Sequence, residues 1–102
     1  MNISIAGGGA FGTALANALI KENKITIHTR NKQVINEINT SRKNPLYFPN
    51  KILSKAIKAT DDLQSVSNAD YFFLCIPSPA IIDFIKQITL KPECVIINGA
   101  KG

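Results

Sequence analysis

A run of glycines near the start of the chain, Gly7-Gly8-Gly9-Ala10-Phe11-Gly12, has the spacing to cradle a phosphate. It follows an apolar strand-like segment, Met1-Asn2-Ile3-Ser4-Ile5-Ala6, and leads into an alanine-rich helical stretch, Thr13 to Ile20. That strand–turn–helix setting gives G-x-G-x-x-G its meaning as a dinucleotide fingerprint. Gly7 permits the tight turn, Gly9 lets a pyrophosphate approach bare backbone, and Gly12 allows close packing of helix on strand. The start of the helix offers unpaired N–H groups and a partial positive charge to the phosphates.

Other residues gather at the same edge if the segments form a parallel sheet, because ligands lie beyond the carboxyl ends of its strands. The end of the second strand reads His28-Thr29-Arg30-Asn31, with no acid between Glu22 and Glu37. A site for NAD usually places Asp or Glu there to accept from the ribose 2′-OH. Arg30 instead suits a 2′-phosphate, which its planar fork pairs bidentately. The expectation is a site that takes NADP(H), alone or beside NAD(H). His28, the single histidine, lies at the adenosine end and reads as structural or solvent-facing rather than catalytic. Phe11 reads equally as a cover for the cofactor or as a core side chain. The turn at Ile76-Pro77-Ser78 and the terminal Lys101 reach the same edge, where a lysine can bind cofactor or substrate phosphate.

These residues need a scaffold, and the apolar pattern supplies one. Strand-like runs at 1–6, 24–28, 57–59, 71–76 and 94–98 alternate with helical patterns. Asn31 is placed to cap a helix whose Val34, Ile35 and Ile38 share a face. Thr60 or Asp61 is placed to cap a short helix through Ser67. Ser78 is placed to cap another, with Pro79 at its first position and Ile81, Ile82, Phe84, Ile85 and Ile88 as its buried stripe. Residues 42–55 are irregular, since Pro45 and Pro49 forbid a regular helix. The fold expected is α/β: a Rossmann-type, doubly wound, mainly parallel five-stranded sheet with helices on both faces, one domain over residues 1–102.

Composition excludes several classes. The 102 residues are 45% hydrophobic and 19% charged, with no apolar run of the roughly 18 residues that span a membrane. The first basic residue is Lys21, so a signal peptide's charged start is missing, and a cytoplasmic location is expected. The net charge of +5 is concentrated between Lys21 and Lys58, where nine basic residues face two acidic ones. They are scattered singly without an aromatic ladder, which argues against nucleic acid. Cys75 and Cys94 match no zinc spacing and read as small buried hydrophobes at strand ends, so no metal is expected.

Taken together these segments resemble the N-terminal domain of the bacterial NAD(P)-dependent glycerol-3-phosphate dehydrogenases, over the whole chain. The family's opening is similar to Gly7–Ala16, with an aromatic at the place of Phe11. Asn44-Pro45-Leu46-Tyr47-Phe48-Pro49 resembles its N-P-x-Y/F-L/F-P signature, the more specific of the two. Ile76-Pro77-Ser78 resembles its V-P-S turn, and Ala100-Lys101-Gly102 its A-K-G or T-K-G ending. Asn98-Gly99 departs from the residues more common before that lysine.

The resemblance implies hydride transfer between NAD(P)H and dihydroxyacetone phosphate, giving sn-glycerol 3-phosphate for phospholipid synthesis. It implies that Ala10 and Phe11 line the pyrophosphate and nicotinamide region. Arg30 then meets the adenosine phosphate, and Lys101 touches both cofactor and substrate. The family's second, helical domain, which supplies the catalytic lysine and most substrate contacts, is absent from these 102 residues. The chain is therefore expected to bind dinucleotide weakly and to turn over nothing measurable, with no catalytic residue of its own. Val95 to Ile97 are expected at an exposed sheet edge, which invites self-association as a homodimer or aggregate. Two other readings compete: the same half of a ketopantoate reductase, whose ending is similar to Asn98–Lys101, and a non-enzymatic dinucleotide-binding module.

Overall fold

A computed structural model describes residues 1–46 and 50–99 of the chain. The elements run β1 (Asn2–Ala6), α1 (Ala10–Ala18), β2 (Lys24–His28), α2 (Lys32–Thr40), β3 (Ile57–Thr60), α3 (Leu63–Val66), β4 (Tyr71–Leu74), α4 (Ser78–Lys86) and β5 (Val95–Asn98). The strands form one sheet in the order β3-β2-β1-β4-β5, every pair parallel. The chain moves outward from β1 to β3, then returns past β1 to place β4 on its other side. The reversal falls between β1 and β4, and a crevice opens there above the strand ends.

The register explains the two cores. Ile3 stands beside Ile25, itself beside Ile57, and Ile5 stands beside Ile27, itself beside Ala59. This face packs against Ala16 of α1, Val34 and Ile38 of α2, and Leu53. Each fully buried isoleucine contributes about 2 kcal/mol of transfer free energy. The opposite face carries Ser4, Ala6, Phe72 and Leu74, and packs with Val66, Ala69 and Phe84. Ser4 is buried there, and its hydroxyl donates to the Val66 carbonyl at 2.9 Å, so burial leaves no orphaned polar group.

Asn31 caps α2 as its sequence suggested, its side chain accepting from Gln33 and Val34 at 3.0 and 3.2 Å. Other boundaries moved. The cap of α3 is Asp62, which accepts from Gln64 at 3.0 Å, not Thr60 or Asp61. Thr60 belongs to β3 beside His28, and Asp61 is drawn into an ion pair with Lys32. At α4 the cap position is Pro77, with Ser78 and Pro79 as the first helical residues. Pro77 is extended at ψ 141°, and its carbonyl accepts from Ala80 at 2.9 Å, closing the first turn one residue early. The stripe of α4 is narrower than its sequence implied. Phe84 is buried and Ile81 and Ile88 are partly so, but Ile82 and Ile85 are 66% and 40% exposed.

Candidate functional site

The glycine loop opens where β1 ends. Gly7 turns at φ 120°, and a methyl group there would sit 2.6 Å from the Cys75 carbonyl oxygen, so no other residue fits. Its N–H donates to the His28 carbonyl at 2.8 Å, tying the loop to the end of β2. Cys75 in turn donates to the Ala6 carbonyl at 2.8 Å, tying it to the end of β4. At Gly12 a methyl group would meet the Gly7 carbonyl oxygen at 2.2 Å, which sets how closely α1 approaches the turn.

Gly9 is the cap residue of α1 and offers no side-chain cap, so no cap side chain claims the first-turn N–H groups, those of Ala10 and Phe11 among them. This is the arrangement that attracts a phosphate. Phe11 is 58% exposed, which removes the core-packing reading. Its ring lies beside Gly99, where a methyl group would come within 3.2 Å of it. The aromatic face is thus presented beside the loop rather than consumed by the core.

Next to the loop lies a cleft of about 400 Å³ lined by Gly7, His28, Thr29, Arg30, Ile76, Ala80, Asp83, Phe84 and Gln87. One wall is the end of β2 and the other is α4. The cleft lies beyond the carboxyl ends of the strands at the switch point, where sheets of this kind bind their ligands. Arg30 is exposed and makes no ion pair among the described residues; Asp83 is the other charged group of the lining. Pro77 is exposed at the entry to α4.

His28 forms the floor. It is buried, its Nε2 lies 3.3 Å from the Asp61 carbonyl, and its ring meets Phe84 edge-on at 5.3 Å. Burial lowers its pKa below the ordinary imidazole value, against the raising influence of that carbonyl. The ring therefore stays neutral at physiological pH and serves packing, as its sequence position suggested. The Cys75 and Cys94 thiols are free and half-buried, and burial pushes both pKa values up, which makes them poor nucleophiles.

Several contributors escaped the sequence. Ala80, Asp83, Phe84 and Gln87 line the cleft at helical spacing along α4, a face that could have been read forward from Pro77. Asn44 is wholly buried, and its amide nitrogen donates to the Gly8 carbonyl at 2.9 Å and to Thr13 Oγ1 at 2.8 Å. Nothing local marked that role, since 36 residues separate Asn44 from Gly8. Tyr47, Phe48, Pro49 and Lys101 lie outside the described residues, so the rest of the signature segment and the terminal lysine are not placed.

A second cleft, about 440 Å³, lies at the amino ends of β1 to β3 between Lys24, Lys55 and Lys58. It is at the far end of the sheet from the glycine loop. Among the described residues no three His, Cys, Asp or Glu side chains gather as a metal site would require, and no helix is long and apolar enough to cross a membrane.

Comparison with known proteins agrees with this geometry. The profile of the family described as NAD-dependent glycerol-3-phosphate dehydrogenase N-terminus matches residues 2–102. The glycerol-3-phosphate dehydrogenase [NAD(P)+] of Clostridium botulinum (strain Eklund 17B) is 42% identical over 98% of this chain and 32% of its own length. That of Clostridium acetobutylicum is 39% identical over 98% of this chain and 31% of its own. The crystal structure of glycerol-3-phosphate dehydrogenase from Coxiella burnetii superposes with a TM-score of 0.89 at 28% identity, over 99% of this chain and 32% of that one. The chain thus spans about a third of the length of these relatives.

Proposed function

The chain belongs to the NAD-dependent glycerol-3-phosphate dehydrogenase N-terminus family, and we propose that it is the cofactor-binding part of an enzyme that interconverts dihydroxyacetone phosphate and sn-glycerol 3-phosphate. The observation that carries this reading is the glycine turn and uncapped α1 start standing beside the cleft at the β1–β4 switch point. The family match over residues 2–102 favours this enzyme over a ketopantoate reductase or a module without catalysis.

The residues divide the cofactor between them. Gly7, Gly9, Ala10 and Gly12 hold the pyrophosphate through backbone and helix start. Phe11 covers the loop toward the nicotinamide. The cleft between Thr29 and α4 takes the adenosine, with Pro77 at its rim, and Arg30 pairs with a 2′-phosphate where one is present. Bound there, the nicotinamide supplies or accepts the hydride. Lys101 completes the substrate end by analogy with the family. Hydride transfer to a carbonyl also needs a general acid beside its oxygen. His28 is unsuited, being neutral, buried and at the adenosine end. By the family resemblance, that acid and most substrate contacts would come from a second, helical domain, the relatives being about three times as long as this chain. A reducing compartment, the cytoplasm, suits the two free thiols.

Fluorescence titration with NADPH and NADH tests the reading. Arg30→Ala should weaken NADPH by about tenfold, the loss of one charge-assisted pair, and leave NADH within about twofold. Equal losses for both cofactors would remove the 2′-phosphate role. Robust NADPH oxidation by residues 1–102 alone with dihydroxyacetone phosphate would overturn the assignment of the acid to another domain.

A further inference from the structure

We propose that Asn44 is a positioning residue for the cofactor loop: its buried amide fixes the Gly8–Gly9 peptide so that the Gly9 N–H faces the pyrophosphate. The proposal rests on the cofactor site described above and adds a residue to it that touches no cofactor.

Gly7, Gly8 and Gly9 are consecutive, so nothing in their own side chains restrains the peptides between them. The two ends are held by backbone. Gly7 N–H binds the His28 carbonyl at 2.8 Å, and the Gly9 carbonyl accepts from Thr13 N at 3.0 Å as α1 begins. The Gly8–Gly9 peptide between them is free to flip unless a side chain engages it. Asn44 does so, donating to the Gly8 carbonyl at 2.9 Å from a position with no solvent exposure.

No peptide bond in the chain is cis. In a planar trans peptide the carbonyl and the following N–H point in opposite directions. Thr13, the other partner of the Asn44 amide, belongs to the buried face of α1. Holding the Gly8 carbonyl toward the buried Asn44 therefore turns the Gly9 N–H away from it. That N–H finds no hydrogen-bond partner among the described residues, which is the condition of a donor kept for a ligand.

The amide is matched atom by atom. Both Nδ2 hydrogens are used, one on Gly8 and one on Thr13 Oγ1, and Oδ1 accepts from Leu46 N at 3.2 Å across Pro45. The reversed amide would set its oxygen against the Gly8 carbonyl and its nitrogen against the Leu46 N–H, so the network admits one orientation. A carboxylate of the same shape keeps the Leu46 bond and loses both donors.

The experiment compares two probes on the same variants. NADPH reads the pyrophosphate loop and the adenosine cleft together; adenosine 2′-monophosphate reads the cleft alone. Asn44→Ala and Asn44→Asp should weaken NADPH by about tenfold or more, as loss of an oriented hydrogen bond implies, and leave adenosine 2′-monophosphate within about twofold. Thr13→Val, which spares the Gly8 bond, should weaken NADPH by less than about threefold. Equal losses for both probes, or no loss for NADPH, overturn the positioning role. Wild-type protein that binds neither probe overturns the cofactor-site reading and this proposal with it. If the Asn44 variants do not fold, backbone relaxation of the wild type decides. A Gly9 N–H in the ligand-free protein as rigid as helix α1, with an order parameter near 0.85, supports the clamp. A value below about 0.6 overturns it.

Discussion

The β3 flank and the β5 flank finish the same sheet by opposite means. At β3 the outward strand edge is occupied by side chains. Asn39 donates to the Ala59 carbonyl at 2.8 Å and accepts from the Ala59 N–H at 2.9 Å, as another strand would. Arg42, turned at φ 60°, donates to the Ser54 and Ile57 carbonyls at 2.6 Å each and to Asn39 at 3.2 Å. Beneath this polar seal Ile57 and Ala59 are buried. Along Val95–Ile97 of β5 no pair of side chains like Asn39 and Arg42 is found among the described residues. Val95, Ile96 and Ile97 are 47%, 48% and 37% exposed, and Ile82 and Ile85 of α4 are exposed as well. β5, Val95-Ile96-Ile97-Asn98, is more apolar in sequence than β3, Ile57-Lys58-Ala59-Thr60, and it is β3 that receives the hydrogen-bonding side chains of a preceding helix and loop. An edge is finished by polar side chains that mimic a strand, and apolar content alone does not close it.

Core truncation should expose the contrast most strongly. Ile27→Ala, in the sealed half, should cost about 3 kcal/mol by urea unfolding, while Ile96→Ala on β5 should cost less than about 1 kcal/mol. Equal costs would mean that β5 is covered in solution. Removing the seal comes next. Arg42→Ala should cost about 2 kcal/mol in the same measurement, since it leaves three carbonyls without their charged donor. A change under about 0.5 kcal/mol would make the seal ornamental. The smallest effect on stability belongs to the open flank. Val95→Lys with Ile97→Lys should leave unfolding within about 0.5 kcal/mol yet lower the mass seen by light scattering at high concentration. A wild type that stays monomeric there would show that the exposed strand does not self-associate.

The sheet was legible because its strands are short apolar runs with β-branched residues, and because the glycine loop sits between strand and helix. The Asn31 cap and the structural role of His28 were legible for the same local reasons. The cap of α3 was not. Thr60, Asp61 and Asp62 are adjacent and all able to cap, and the choice was made by partners far off in sequence. Thr60 pairs with β2, Asp61 meets Lys32, and Asp62 remains for the helix. Ile82 and Ile85 looked buried because periodicity reports a stripe, not whether anything stands opposite it. Within the site, the residues that touch the crevice from β1 and β2 were readable from motif. The α4 wall and the Asn44 clamp were not, since each depends on how distant segments meet.

The central place of β1 has a further consequence, in the timing of synthesis. Its partner on one side, β2, lies 22 residues on, whereas Asp70, which holds the Asn2 N–H at the head of β4, lies 68 residues on. At 5–20 residues per second a ribosome takes roughly 3 to 14 seconds to span that distance. The glycine loop thus gains its His28 wall early and its Cys75 wall late. During that interval a nascent β1 has one open edge, and the crevice is completed only when the second half of the sheet arrives.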